Sequence, residues 1–245
     1  MTAQQLSLLC AGVFAVAFLY SCVGHAGASG YIAVMTLFGL APDIVKPTAL
    51  ALNVIVSSLA SWQFWRAGHF AWTLFWPFAA LSTPCAFAGG ALRLPAPAFQ
   101  ALVGLVLLWS AAVLLLRPPP DEVRATPSGA VRASVGAGMG LLAGLTGTGG
   151  GIFLTPLLLF MRWARARTAA ATSAVFILVN SLAGLLGHAM TTGELPAPAP
   201  SLAVAVLAGG AAGSYLGSTR LSHAAIKRVL AAVLVIAGAK LLLHH

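Results

Sequence analysis

The residues best suited to chemistry form a glycine-rich interruption of an apolar stretch, between Gly144 and Pro156. The centre of this interruption, Gly147–Gly151, contains no charged residue. A glycine inside a helix costs about 1 kcal/mol relative to alanine, so the run predicts a break in a helix. Unwound backbone is tolerated inside a bilayer only where protein or a water-filled cavity satisfies its amides. Free amides beside a new helix that starts at Ile152 would favour an anion.

The same pattern occurs 120 residues earlier, in Gly24–Ile32. At this constant offset, glycine and isoleucine positions of the two interruptions coincide, and further matches follow along the chain. An ungapped register over most of each half predicts two homologous halves, an arrangement common in secondary transporters. The matching pairs are Gly24 and Gly144, Gly27 and Gly147, Gly30 and Gly150, Ile32 and Ile152, Thr48 and Thr168, Ala49 and Ala169, Ala51 and Ala171, Ser61 and Ser181, and Gly89-Gly90-Ala91 with Gly209-Gly210-Ala211.

The polar side chains within the apolar segments are mostly neutral amides and hydroxyls. Such groups can replace the hydration shell of an oxyanion without holding it by a fixed counter-charge. A serine or threonine often bonds to its own helix instead, whereas a buried asparagine needs partners from elsewhere. A histidine here could relay protons or serve as a neutral, hydrogen-bonded residue. We predict a substrate site formed by His25, Gly27, Ser29, Gly30, Asn53, Ser57, Thr146, Gly147, Thr148, Gly149, Gly150, Gly151, Thr172, Ser173 and Asn180.

The acidic residues all lie in predicted loops, so no pair of carboxylates is available in a span for acid–base chemistry or for binding a cation. The sequence also lacks the GxSxG, HExxH and GxxxxGK[ST] signatures of common enzyme sites. We therefore expect a protein that is not an enzyme and holds no metal or cofactor. The acids are Asp43, Asp121, Glu122 and Glu194.

The composition indicates an all-α polytopic membrane protein. Of the 245 residues, 60% are hydrophobic and 7% are charged, whereas a soluble domain is about 25% charged. The continuous apolar segments exclude a β-barrel. The formal charge of +9 is explained by the bias of basic residues towards the cytoplasm, so we expect a lipid bilayer as the surroundings and no nucleic acid as a partner.

The chain divides into a first transmembrane repeat at 1–116, a linker at 117–132 and a second repeat at 133–245. Each repeat is predicted to contain a glycine-broken helix hairpin followed by three transmembrane helices, with a polar turn at residues 41–47. Basic residues place the linker in the cytoplasm, and the two repeats are then inverted, with both termini outside. If the linker lies outside instead, the repeats are parallel.

The glycine motifs and the residues that follow them carry a family resemblance. The chain resembles the TauE/SafE sulfite exporter family, also called the toluene sulfonate uptake permeases, in Gly24–Ile32 with residues 48–53, and in residues 144–151 with 171–174 and 180–181. His25-Ala26 departs from the more glycine-rich second motif, so the two breaks can differ in role.

The resemblance implies a multi-pass transporter of the bacterial inner membrane that moves sulfite, sulfoacetate or another organosulfonate. We expect export by alternating access, with the small anionic substrate held at the N-termini of the broken helices. An anion-selective channel-like pore, or a membrane sensor subunit without coupled transport, is the alternative. A homodimer is left open.

Overall fold

A computed structural model of the chain describes residues 2–22, 24–116, 126–193 and 200–219, together with 235, 238, 239 and 242. The described residues contain helices and no strand, which confirms the all-helical prediction. The helices in the described part are α1 (Ala3–Ser21), α2 (Ala28–Leu37), α3 (Pro42–Arg66), α4 (Trp72–Ala91), α5 (Ala96–Leu116), α6 (Gly129–Thr146), α7 (Gly151–Phe160), α8 (Ala166–Thr192) and α9 (Pro200–Thr219).

Among the described helices, four are long and apolar enough to cross a bilayer by length and composition. They are α1, α3, residues 167–192 of α8 and residues 200–217 of α9. The helices α2 and α7 are short, with ten residues each, and ten residues at 1.5 Å per residue reach only about half of a 30 Å hydrocarbon layer. Residues 117–125 of the predicted linker, the loop at Glu194 and most of the last predicted span lie outside the described residues.

The predicted polar turn at residues 41–47 is wrong. Pro42 is the first residue of α3, where its missing N–H costs nothing, and the helix continues through Pro47. Lys46 is buried within this segment, and its ammonium donates to backbone carbonyls at the end of α4. The positive charge that suggested a turn is therefore stabilised by the backbone carbonyls of a helix end instead of by water.

Glycines let two pairs of helices approach closely and run in the same direction. A methyl group at Gly136, Gly140 or Gly144 of α6 would overlap backbone carbonyl oxygens of α4. These contacts advance together along both helices, from Phe78 to Ala86 on α4. The helices α1 and α9 pack in the same way, through Gly209, Gly213 and Gly217 against Phe14, Phe18 and Cys22. Small residues at such interfaces bring backbones together where no hydrophobic effect drives association.

The central pair, α3 and α8, packs in opposite directions. Near the start of α8, Ala170 and Ala174 form a buried cluster with Phe64, which lies near the end of α3. Further along α8, Ser181 and Gly184 meet Asn53 and Leu50, which lie nearer the start of α3. Because α6 and α8 both contact α4, while α1 and α3 both contact α9, the central pair joins two groups of helices.

The close packing of α4 on α6 can be tested with two glycines of one helix. We expect Gly140→Ala to lower the melting temperature in detergent by about 2–12 °C, because the added methyl overlaps the Ser82 carbonyl oxygen and overpacking costs about 1–3 kcal/mol. Gly138→Ala is the matched control, since a methyl there meets open space. Thermal unfolding followed by tryptophan fluorescence measures both. Equal melting temperatures for the two variants would contradict the close contact.

Candidate functional site

The second glycine run separates α6 from α7. The helix α6 ends at Thr146, and Gly147, Gly149 and Gly150 have φ angles of 76°, 73° and 86°, a left-handed region that favours glycine. The new helix α7 begins at Gly151, and no side chain caps its N-terminus. Among the hydrogen bonds between described residues, none uses the amide N–H of residues 148–152 as a donor. The N-terminus of α7 therefore presents uncommitted N–H groups.

The first glycine run separates α1 from α2. Its Gly27 is the N-cap of α2, with φ 103° and no side-chain cap. The Tyr31 hydroxyl donates to the carbonyl oxygen of Ala26, and the amide of His25 donates to the carbonyl oxygen of Tyr20. These two bonds fix the path of the unwound segment. Both interruptions contain left-handed glycines and lead into a short helix, but the first is more fully bonded to its own half.

Asn53 of α3 joins the two interruptions. Its Oδ1 accepts from the amide of Ala28 at 3.0 Å, and its Nδ2 donates to the carbonyl oxygen of Thr148 at 3.2 Å and to Ser181 Oγ at 3.3 Å. Ala28 and Thr148 are equivalent positions at the repeat offset of 120. The Asn53 side chain is fully buried, so one amide satisfies backbone groups of both breaks in the absence of water.

The glycines of the second run lie directly against this amide. A Cβ atom at Gly149 would come within 2.6 Å of Asn53 Nδ2 and of Ser181 Oγ. A Cβ atom at Gly151 would overlap Ile177 and lie 3.7 Å from the imidazole carbon Cδ2 of His25. Glycine at these positions leaves room for the side chains of Asn53, Ser181 and Ile177. The structure therefore brings His25 of the first break to the N-terminus of α7.

Asn180 of α8 lies beside the N-terminus of α7. Its Oδ1 accepts from Ser82 Oγ at 2.6 Å, whereas its Nδ2 is buried and has no hydrogen-bond partner. The same Nδ2 lies 3.4 Å from the position of a Cβ atom at Gly150. The side chain is only 1% exposed. An amide donor left unpaired in a buried position costs about 1–3 kcal/mol, so its placement beside uncapped helix N–H groups favours a negatively charged ligand.

The other predicted site residues divide between this centre and local bonds. Ser57 bonds back to the carbonyl oxygen of Asn53 at 2.6 Å, and Ser29 Oγ donates to the Tyr20 hydroxyl at 3.0 Å. Thr146 Oγ1 bonds to the Leu142 carbonyl oxygen and contacts Thr148 Oγ1 at 2.9 Å.

Two further hydroxyls are Ser173 Oγ, which accepts from Thr155 Oγ1 at 2.7 Å, and Thr172 Oγ1, which is buried without a partner. Gly30 packs on Val16 and Tyr20 of α1.

Sequence reasoning missed several residues that hold this centre together. Ser181 matches Ser61 at the offset of 120 residues, and this match could have identified Ser181. Nothing in the sequence near Ser82 or Thr155 indicated that each would bond to an asparagine or a serine of another helix. Among the described residues, no three His, Cys, Asp or Glu side chains are grouped so that they could hold a metal ion. The donors at the centre are neutral amides and hydroxyls, which suit an anion better than a cation.

Comparisons with known proteins identify a matching family and a relative. The model of the family described as "Sulfite exporter TauE/SafE" matches residues 8–241. A "Probable membrane transporter protein y4hK" from Sinorhizobium fredii (strain NBRC 101917 / NGR234) is 40% identical over 234 residues, which cover 94% of this chain and 95% of that protein. No solved structure matches the chain.

The joining role of Asn53 predicts a large loss of stability when its amide is removed. Asn53→Leu leaves the Ala28 amide and the Thr148 carbonyl buried without partners, at about 1–3 kcal/mol for each group. Ser57→Ala, one turn along α3, removes only a bond to its own helix and should cost less than about 1 kcal/mol. Thermal unfolding in detergent measures both. Indistinguishable variants would contradict the joining role.

Proposed function

The chain is a membrane transporter that belongs to the TauE/SafE sulfite exporter family, and we propose that it exports a small sulfur-containing anion across a bacterial inner membrane. The substrate is sulfite or an organosulfonate such as sulfoacetate. These anions share a compact group of sulfur-bound oxygens with a delocalised negative charge. Such a group accepts several hydrogen bonds at once, as converging N–H donors require.

One observation carries this proposal. The unpartnered Asn180 Nδ2 lies beside the uncapped N-terminus of α7. The helix macrodipole places about half a positive charge at that N-terminus, and the flanking amides of residues 148–152 supply donors in the same place. Lys46 reaches the first glycine of this run with its Cγ, but its ammonium donates to the end of α4. The donors at the start of α7 are neutral, so the site binds an anion through dipoles and releases it without breaking an ion pair.

The first interruption completes the site from the opposite half. The N-cap of α2 is Gly27, which has no side chain to cap the helix, and Asn53 accepts from the Ala28 amide and holds the first break beside the second. The amide of Asn53 is engaged with protein on both sides, so in this conformation it positions the two breaks. We propose that it reaches the anion only when the halves move apart. His25, next to Gly151, then lies within reach of the same anion.

We propose that the two halves are inverted repeats which rock about the central helix pair. The opposite directions of α3 and α8 support this, because these helices occupy equivalent places in the two repeats. One end of the bundle carries most of the described bases, since Arg132 bonds to the Thr73 carbonyl oxygen and lines a cavity with Arg165. The positive-inside rule puts that end in the cytoplasm. The start of α3 and the end of α8 then face the outside.

The substrate proposal can be tested by flux into liposomes that contain purified protein. We expect saturable sulfite uptake by the wild type and a loss of at least about tenfold in Asn180→Asp, because a carboxylate oxygen replaces the N–H donor and repels the anion. Ser82→Ala is the matched control, since it removes the bond to Oδ1 but leaves Nδ2 in place. Wild-type flux through a folded Asn180→Asp variant would exclude this site.

The alternating-access mechanism predicts counter-transport, which a channel-like pore does not show. Liposomes loaded with unlabelled sulfite should take up labelled sulfite faster than empty liposomes, because a loaded carrier returns its site to the outer face. Rates that are independent of the internal anion would favour the channel-like pore instead.

The inverted arrangement of the two halves can be tested by topology. A reporter fused after the last residue should be active only on the outer side if the halves are inverted.

A further inference from the structure

A cavity of about 450 Å³ lies at the end of the bundle where α3 begins and where α4 and α8 end. Its lining includes charged and polar side chains at its mouth, and Leu145 of α6, two residues before the second glycine run. Arg93 and Asp43 are both exposed, so the cavity opens to the surroundings. The polar lining comprises Asp43, Lys46, Arg93, His188 and Thr192.

Lys46 determines the electrostatic character of this cavity. Its ammonium donates to the carbonyl oxygens of Gly89, Gly90 and Leu92, at 3.1, 3.1 and 2.9 Å. These carbonyls form the end of α4, which carries partial negative charge. The lysine covers that charge and so removes a barrier to anions. Position 166, at the repeat offset, holds alanine, so the second half lacks an equivalent lysine.

The charges that remain at the mouth favour an anion. Asp43 lies in the first turn of α3, where the positive end of the helix dipole offsets its charge. The guanidinium of Arg93 has no hydrogen-bond or ion-pair partner in the part of the chain that the structure describes. A planar guanidinium binds oxyanions through two parallel N–H groups. Arg93 is therefore the group at the mouth with capacity for an oxyanion.

The cavity also leads towards the second glycine run. A Cβ atom at Gly147 would lie 3.0 Å from the carbonyl oxygen of Lys46 and 3.1 Å from its Cγ. The same lysine therefore lines the cavity with its side chain and contacts the first glycine of the break. The cavity and the second glycine run thus have Lys46 as a common neighbour.

We propose that this cavity is an anion vestibule, in which Arg93 receives a small sulfonate or sulfite released from the central site and Lys46 covers the end of α4 so that the anion is not repelled. The vestibule deepens the transport function proposed above and rests on it for its biological role. It serves the face of the membrane opposite the arginine-rich end. Lining by apolar Leu145 and Phe99 leaves the anion weakly held, so it is released to the outside.

The vestibule can be tested by the reaction of an introduced cysteine with charged reagents, in full-length protein whose native Cys10, Cys22 and Cys85 are replaced by alanine. Thr192→Cys places a thiol in the lining, and Met190→Cys places one on the same helix at a side chain that is 78% exposed and outside the lining. The probes are a methanethiosulfonate that carries a sulfonate and its trimethylammonium counterpart. The rate ratio of anionic to cationic reagent should be about tenfold higher at position 192 than at position 190.

Arg93→Gln in the Thr192→Cys background should reduce that ratio to the value at position 190, whereas Asp43→Asn should maintain or raise it. Equal ratios at the two positions, or a ratio that Arg93→Gln leaves unchanged, would overturn the vestibule. If Thr192→Cys does not fold, Leu92→Cys supplies a second lining position that is 52% exposed. Labelling requires no transport, so a failure of sulfite flux would remove the proposed function without altering this result.

Discussion

The structure depends on one amide that satisfies two stretches of unwound backbone. Inside a bilayer, a free carbonyl or N–H group finds no water, and each one costs several kcal/mol. Asn53 has an acceptor and two donors on one side chain, and it uses them on Ala28, Thr148 and Ser181. A serine at this place could not reach both breaks. Ser173, which lies 120 residues further along the chain, bonds to α7 instead.

Both interruptions lead through left-handed glycines into a short helix, but they differ in how much of their hydrogen-bonding capacity is used. The first is closed by Tyr31, Tyr20 and Asn53, whereas the second retains uncommitted amides and the unpaired Nδ2 of Asn180. This difference concentrates the capacity for an anion at one helix N-terminus. Lys46 adds a further difference, because the position 120 residues later holds alanine.

Glycine has two separate uses in this chain. In the interruptions it permits left-handed backbone, at Gly27, Gly149 and Gly150 among others. In the spans it permits backbone-to-backbone contact, as for Gly140 on Ser82. Lipid chains are as apolar as the side chains on the helix surfaces, so the contacts between helices have to be stabilised by close packing. The same residue type therefore serves both the site and the scaffold that positions it.

Much of the architecture can be read from sequence because it depends on local properties. Composition identifies a membrane protein, the glycine run at 147–151 predicts the helix break, and the repeat offset pairs Ala28 with Thr148. Asn53 and Asn180 are recognisable as residues that require partners, since an amide among apolar residues has no local way to satisfy its donors. The prediction of a polar turn at 41–47 fails because the partner of Lys46 lies over forty residues away, on α4.

Tertiary structure decided which partners those residues have. Helix propensity and apolar periodicity are set by neighbours in sequence, so they locate each element and each break. Asn53 pairs with both interruptions, and Asn180 pairs with Ser82 and lies at the start of α7. Both arrangements require helices that are distant in the chain to pack against each other at particular positions along their lengths. That geometry arises from the packing of many glycine and alanine surfaces at once. No single segment of the sequence contains that information.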